Sequence, residues 1–140
     1  DRDSTGRRLE DTVVDVLVLY TQKAKTRQGG ESAIRNLINL GIIQTNTAFE
    51  NSGSSTRVRL AAALEDTTFP DHAGNVDPLG ALEDSNDGYL DDVYRLRVEH
   101  GGDIVMLIVN DLGGYCGAAF LGGYFGTVAR YCATLEGQYS

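Results

Sequence analysis

The stretch from Asp103 to Cys132, DIVMLIVNDLGGYCGAAFLGGYFGTVARYC, constrains the chain more than any other. Ile104 to Val109 is a continuous apolar run, too short to cross a membrane and suited to a strand buried on both faces of a parallel sheet. Asn110 to Gly114 breaks the run. Two short β-prone segments follow, Tyr115 to Leu121 and Phe125 to Tyr131, with Gly122-Gly123 between them and one cysteine in each. A central strand therefore leads into a glycine-rich edge.

The rest of the chain reads as a scaffold for that edge. Val13 to Thr21, VVDVLVLYT, is a β-branched run with a single charge and predicts a first strand. Lys23 to Gly30 reads as a polar connection. From Glu31 to Asn51, Ile34, Leu37, Ile38, Ile42, Ala48 and Phe49 fall on one helical stripe, with Gly53 where a stop belongs. Gly41 lies on the same stripe, which predicts close packing against the sheet. Arg57 to Leu64 alternates and predicts a second strand, with Val58, Leu60, Ala62 and Leu64 on one side and Arg59, Ala61 and Ala63 on the other. Glu65 to Asn86 holds both prolines, Pro70 and Pro78, and reads as a long loop. Ser85 or Asp87 can cap a second helix with Asp91 and Asp92 in its first turn, Tyr89, Val93 and Leu96 on its inner face, and an end at Gly101-Gly102.

This order, β-α-β-α-β and then two short strands, predicts one α/β domain with helices covering a mostly parallel sheet. At 140 residues and 41% hydrophobic content, one core suffices. Residues 1–12, alternating in charge and without an apolar segment, read as a linker or the remnant of a processed precursor.

Composition also bounds the partners. A net charge of -8 and a pI near 4.6 argue against a nucleic-acid backbone, which needs clustered Lys and Arg. Glu65 to Asp92 carries nine of the twenty carboxylates and no Lys or Arg. That stretch invites a calcium reading, against which stands a solvated acidic loop running into a helix start. An EF-hand fails on register, because Gly88 at the sixth loop position puts Tyr94 where the bidentate Glu belongs.

Catalytic and phosphate motifs are missing from the 140 residues. There is no G-x-G-x-x-G, no G-x-x-x-x-G-K-[ST], no G-x-S-x-G, and no Asp-x-Ser-x-Ser after the first strand. Cys116 has a simpler partner in Cys132 than His72 or His100 would be as a base, and each histidine reads as a surface residue. Separations of 28, 16 and 16 between His72, His100, Cys116 and Cys132 match no zinc spacing. Cys116 and Cys132 lie on adjacent predicted strands, so they either pair in a disulfide or remain two buried thiols. Pairing would stabilise by about 3 kcal/mol through loop closure and would imply an oxidising, extracellular compartment.

The segments VDVLVLYTQKAK, GGESAIRNLINLGIIQTNTAFENSG, TRVRLAAALED, DGYLDDVYRLRVEHGGDIVMLIVND, GGYCGAAFLGG and ARYCATLEGQYS, in that order, resemble the secreted bacterial zinc metallopeptidases of the metzincin clan, close to the reprolysin-like group. The resemblance covers residues 13–140. It implies the N-terminal subdomain of the fold: a twisted, mostly parallel five-stranded sheet with one antiparallel edge strand and two long helices. It implies that this edge pairs with an extended peptide or protein substrate, through Gly117, Ala118, Ala119 and Phe120. In that family the segment like CATLEGQYS leads into the zinc helix H-E-x-x-H-x-x-G-x-x-H and a Met-containing turn. None of that motif stands in these residues, and Met106, the one methionine, lies in a predicted strand. The resemblance thus implies a zinc-dependent endopeptidase whose metal ligands lie in a further, C-terminal segment, and a 140-residue chain inactive by itself. A peptide- or inhibitor-binding module of the same fold, without catalysis, is the alternative reading.

Overall fold

The computed structural model describes residues 12–71, 77–112, 115–121 and 123–133. The linker expected over 1–12 falls outside them except for Thr12, as do His72, Gly113-Gly114, Gly122 and the last seven residues of the ARYCATLEGQYS segment.

Five strands form one sheet: β1 (Val13–Thr21), β2 (Arg57–Asp66), β3 (Ile104–Val109), β4 (Gly117–Ala119) and β5 (Phe125–Ala129), in the order β2-β1-β3-β5-β4. All neighbours run parallel except β4, which is antiparallel to β5 at the sheet's edge. The mostly parallel five-stranded sheet expected from the sequence is present.

Side chains alternate along β1, and each set seeds a core. Val16, Val18 and Tyr20 pack with Ala24, Ile34 and Ile38 on one face. Leu17 and Leu19 pack with Ala81, Leu82, Leu90 and Val93 on the other, joined by Val105, Leu107 and Val109 of β3. Leu17, Leu82 and Leu107 have no exposed surface, and burial of this kind contributes about 1.5–3 kcal/mol per side chain.

The helices depart from expectation. The long helix α2 (Glu31–Asn51) is where the stripe put it, but it is preceded by α1 (Gln22–Gln28) where a polar connection was expected. Thr21 caps α1 by accepting from Ala24 N–H, and Gly29 closes it in the left-handed region at φ 120°. The long loop is interrupted by α3 (Pro78–Glu83), which Asp77 caps and Pro78 starts. The second long helix proves to be the eight-residue α4 (Val93–His100). Its start is delayed because Asp87 accepts from Tyr89 N–H, Asp91 accepts from Gly88 N–H, and Leu90 takes a positive φ of 57°. Gly101 ends it as expected.

Two packing expectations are also corrected. The pairing of β1 with β2 skips Ala61, so Val58, Leu60 and Ala63 share the α2 face while Ala62 and Leu64 turn to the other. A bulge inverts the period of two beyond it. Gly41 faces the carbonyl of Ala133, where a Cβ would lie 3.2 Å from the oxygen, so the segment after β5 requires the glycine rather than the sheet.

Candidate functional site

β4 is three residues, Gly117, Ala118 and Ala119, and all three are exposed. Ala129 N–H donates to the Cys116 carbonyl at 2.8 Å, which fixes the phase of the ladder. Hydrogen-bonded and non-bonded pairs alternate in antiparallel strands, so Ala118 opposite Thr127 is a bonded pair. Gly117 and Ala119 are then non-bonded pairs with Val128 and Gly126, and their N–H and C=O groups point away from β5. The open edge thus offers two rungs about 7 Å apart to an extended chain.

Close approach of β4 to β5 depends on Gly117, where a Cβ would sit 3.1 Å from the Thr127 carbonyl oxygen. Phe120 stands just past the strand and packs, half-buried, against the cluster that contains Phe125. Of the four residues expected to meet substrate, three therefore form the edge and Phe120 anchors its end. Tyr115 and Leu121 flank the strand and are exposed.

Cys116 and Cys132 are joined in a disulfide with Cα atoms 5.3 Å apart. The thiol alternative is thereby removed. Cys132 belongs to a short 3-10 turn, Arg130–Cys132, directly after β5, and it is buried, whereas Cys116 is exposed.

A polar chain that the sequence reading missed fixes the base of this edge. The Asp71 carboxylate accepts from Thr21 Oγ1 at the end of β1 and from Asn110 N–H just past β3. Asn110 Oδ1 accepts from Arg130 Nε at 3.0 Å, and Arg130 reaches the Gln28 side chain of α1. The ends of β1, β3 and β5 are so tied to one another. Thr21 at the end of the first strand carried a helix-cap signal that the reading of Lys23 to Gly30 as a polar connection passed over; the distant partners Asp71 and Arg130 had no local signal.

Acidic side chains of the 65–92 stretch serve local turns and pairs. Glu65 pairs with Lys25 at 2.6 Å, and Asp66 accepts from Thr68 and Phe69 N–H groups. Asp77 caps α3, Asp84 accepts from Asn86 N–H, and Asp92 meets Arg95 at 3.5 Å. Among the described residues no group of three His, Cys, Asp or Glu comes together as a metal would need. Neither zinc nor calcium has a fitting donor set among them. His100 ends α4 in an exposed position.

Below the sheet lies an apolar groove of about 200 Å³, on the face where α2 covers only part of the strands. Leu37, Ile42, Met106, Ile108 and Val128 line it. No described helix is long and apolar enough to cross a membrane.

No protein-family model matches the chain. It is 30% identical over 106 residues to a peptidyl-Asp metalloendopeptidase of Xanthomonas campestris pv. campestris, a match spanning 76% of this chain and 24% of that protein. The match relates the chain to a metallopeptidase, of whose length it spans about a quarter. Among solved structures, one described as a chaperone-substrate complex has a chain that superposes with a TM-score of 0.73 at 20% identity, over 91% of this chain and 24% of that one. At that identity the likeness is one of fold.

Proposed function

We propose that the chain is the sheet-bearing, N-terminal part of a secreted zinc metalloendopeptidase of the metzincin kind, and that β4 holds an extended substrate by strand addition. The observation that carries this reading is the pair of outward rungs at Gly117 and Ala119 on an antiparallel edge cleared of large side chains. Backbone pairing of that type gives affinity without dictating side chains, as an endopeptidase acting within long chains requires. The relative's name supports the reaction class, and the disulfide supports an exported protein.

In this reading the metal and its ligands come from a segment outside the described residues, and the groove under β3 and β5 receives it. The role of this chain is to hold the scissile segment straight, which lowers the entropic barrier to attack. The groups that do so are the N–H and C=O of Gly117 and Ala119, held in place by Phe120, the disulfide and the Asp71 chain.

The test uses the full-length protein and an unbiased peptide mixture. Cleavage that stops on chelation and returns with zinc is expected. Peptide binding with no cleavage under any metal would instead establish the non-catalytic module, and neither binding nor cleavage would refute the assignment of β4.

A further inference from the structure

Besides its connections, β4 is held to the sheet by the single hydrogen-bonded pair of Ala118 with Thr127. Its side chains are one hydrogen and two methyl groups, all exposed, so it buries almost no apolar surface of its own. Short edges of that composition open at the low end of a protein's range of local stabilities. At its C-terminal side Phe120 is seated on the core. At its N-terminal side the attachment is the Ala129 N–H to Cys116 carbonyl bond and the disulfide to Cys132. Cys132 is itself rigid: it is 6% exposed, and the preceding Arg130 is tied to Asn110 and Gln28. The disulfide therefore joins an exposed, weakly held residue to a fixed one.

We propose that the Cys116–Cys132 bond is a redox gate on this edge: in the dithiol form β4 detaches from β5 and the outward rungs at Gly117 and Ala119 are lost. Resting on the reading of β4 as a substrate-pairing edge, this makes the site assemble only in an oxidising compartment. A chain still inside a reducing cell would then lack an organised edge with which to hold proteins.

The chemistry is two thiol–disulfide exchanges with an external dithiol. One reductant thiolate attacks Cys116 Sγ, the Cys116–Cys132 bond breaks, and the electron pair leaves on Cys132 Sγ, which takes a proton. The second reductant thiol then attacks the mixed disulfide and releases Cys116 as a thiol, so the reductant ends as its own disulfide with two electrons transferred. Closure is the reverse reaction, with a disulfide-bearing oxidant accepting the two electrons.

The experiment is hydrogen exchange on the full-length protein, oxidised and reduced with a dithiol, together with the Cys116→Ser/Cys132→Ser variant. The amides of Ala118 and Ala129 should exchange about 100-fold faster on reduction, the factor expected from removing a loop closure of this length. Those of Val18 and Leu107, in the central strands, should be unchanged. Equal exchange at Ala118 and Ala129 in both forms would overturn the proposal. So would loss of protection at Val18 and Leu107 too, in both the reduced protein and the serine variant, because the bond would then be a general staple. Binding of a fluorescein-labelled, alanine-rich decapeptide with one central Asp is followed in parallel with chelator present. Binding by the oxidised protein that survives reduction undiminished refutes the gate alone, whereas no binding by the oxidised protein refutes the pairing reading beneath it.

Discussion

The Asp71 carboxylate accepts the backbone N–H of Asn110 at 2.7 Å across 39 residues of sequence, so an aspartate within the acidic stretch fixes the end of the central strand. The same carboxylate holds the Thr21 hydroxyl, which in turn caps α1. Replacing Asp71 by Ala leaves a partly buried N–H and a buried hydroxyl without their acceptor. We expect a loss of about 1–3 kcal/mol in urea unfolding, with a smaller loss for Asp71→Asn, which keeps one acceptor. A change within 0.3 kcal/mol for the alanine variant, on the order of experimental additivity error, would contradict this role.

The phase of the β4 ladder separates two proline substitutions that composition alone would treat as equal. Ala119 points its N–H outward, so Ala119→Pro removes a donor from the open edge and spares the bonds to β5. Ala118 points its N–H toward β5, so Ala118→Pro cuts the ladder itself. Peptide affinity should fall about 5- to 10-fold in Ala119→Pro with the melting temperature unchanged, as expected for loss of one hydrogen bond. Ala118→Pro should lower both. Measuring affinity and melting together on the two variants decides the assignment, and equal effects would sink it.

Where the sequence was legible, a single period or a local cap carried the information. VVDVLVLYT and IVMLIV became β1 and β3, and the stripe from Ile34 became α2 with matching ends. Where it was not, the deciding contact was distant or the local signal had no apolar companion. QKAKTRQ buries only Ala24, so its helix shows in the flanking Thr21 and Gly29 and not in periodicity. The Asp77-Pro78 pair marked α3 in the same quiet way. No local pattern in RVRLAAALED reveals the bulge at Ala61, because alanine fits either face. At the candidate site the small residues of β4 were legible as an edge, but their phase was set by one bond from Ala129, and Asp71 became visible only through the fold.

Stability toward acid should reflect the Asp15–Arg59 pair that joins β1 to β2. Arg59 Nε and Nη2 meet the Asp15 carboxylate at 2.7 and 3.1 Å. The hydrogen bond from Arg59, foremost, holds the Asp15 carboxyl below its ordinary 3.8, against an opposing effect of desolvation. A carboxyl whose folded value is depressed contributes stability that is present above its unfolded value and lost as pH falls through the folded one. We therefore expect the difference in stability between the native chain and Arg59→Gln to be present at pH 6 and to shrink below pH 3.8, toward the depressed folded value. Because the pair is exposed, high salt should shrink it as well. Urea titrations across that range check the sign; a difference that grows on acidification would contradict the assignment.

The groove beneath β3 and β5 sets an expectation for the chain studied by itself. Its walls, among them Leu37, Ile42, Met106, Ile108 and Val128, are mostly apolar, and the neighbouring Ile43 on α2 is 61% exposed. Apolar surface of this kind, when contiguous, drives association in proportion to the area it removes from water. Residues 1–140 expressed alone should thus bind a hydrophobic dye and gain mass with concentration in light scattering. Ile42→Glu places a charge on the groove wall at a half-buried position, where it should reverse the association while leaving the buried Ile34 and Ile38 contacts of α2 in place. A monodisperse, dye-free monomer at all concentrations would mean that the face is self-sufficient, which would favour the non-catalytic peptide-binding module over a part that needs a covering segment.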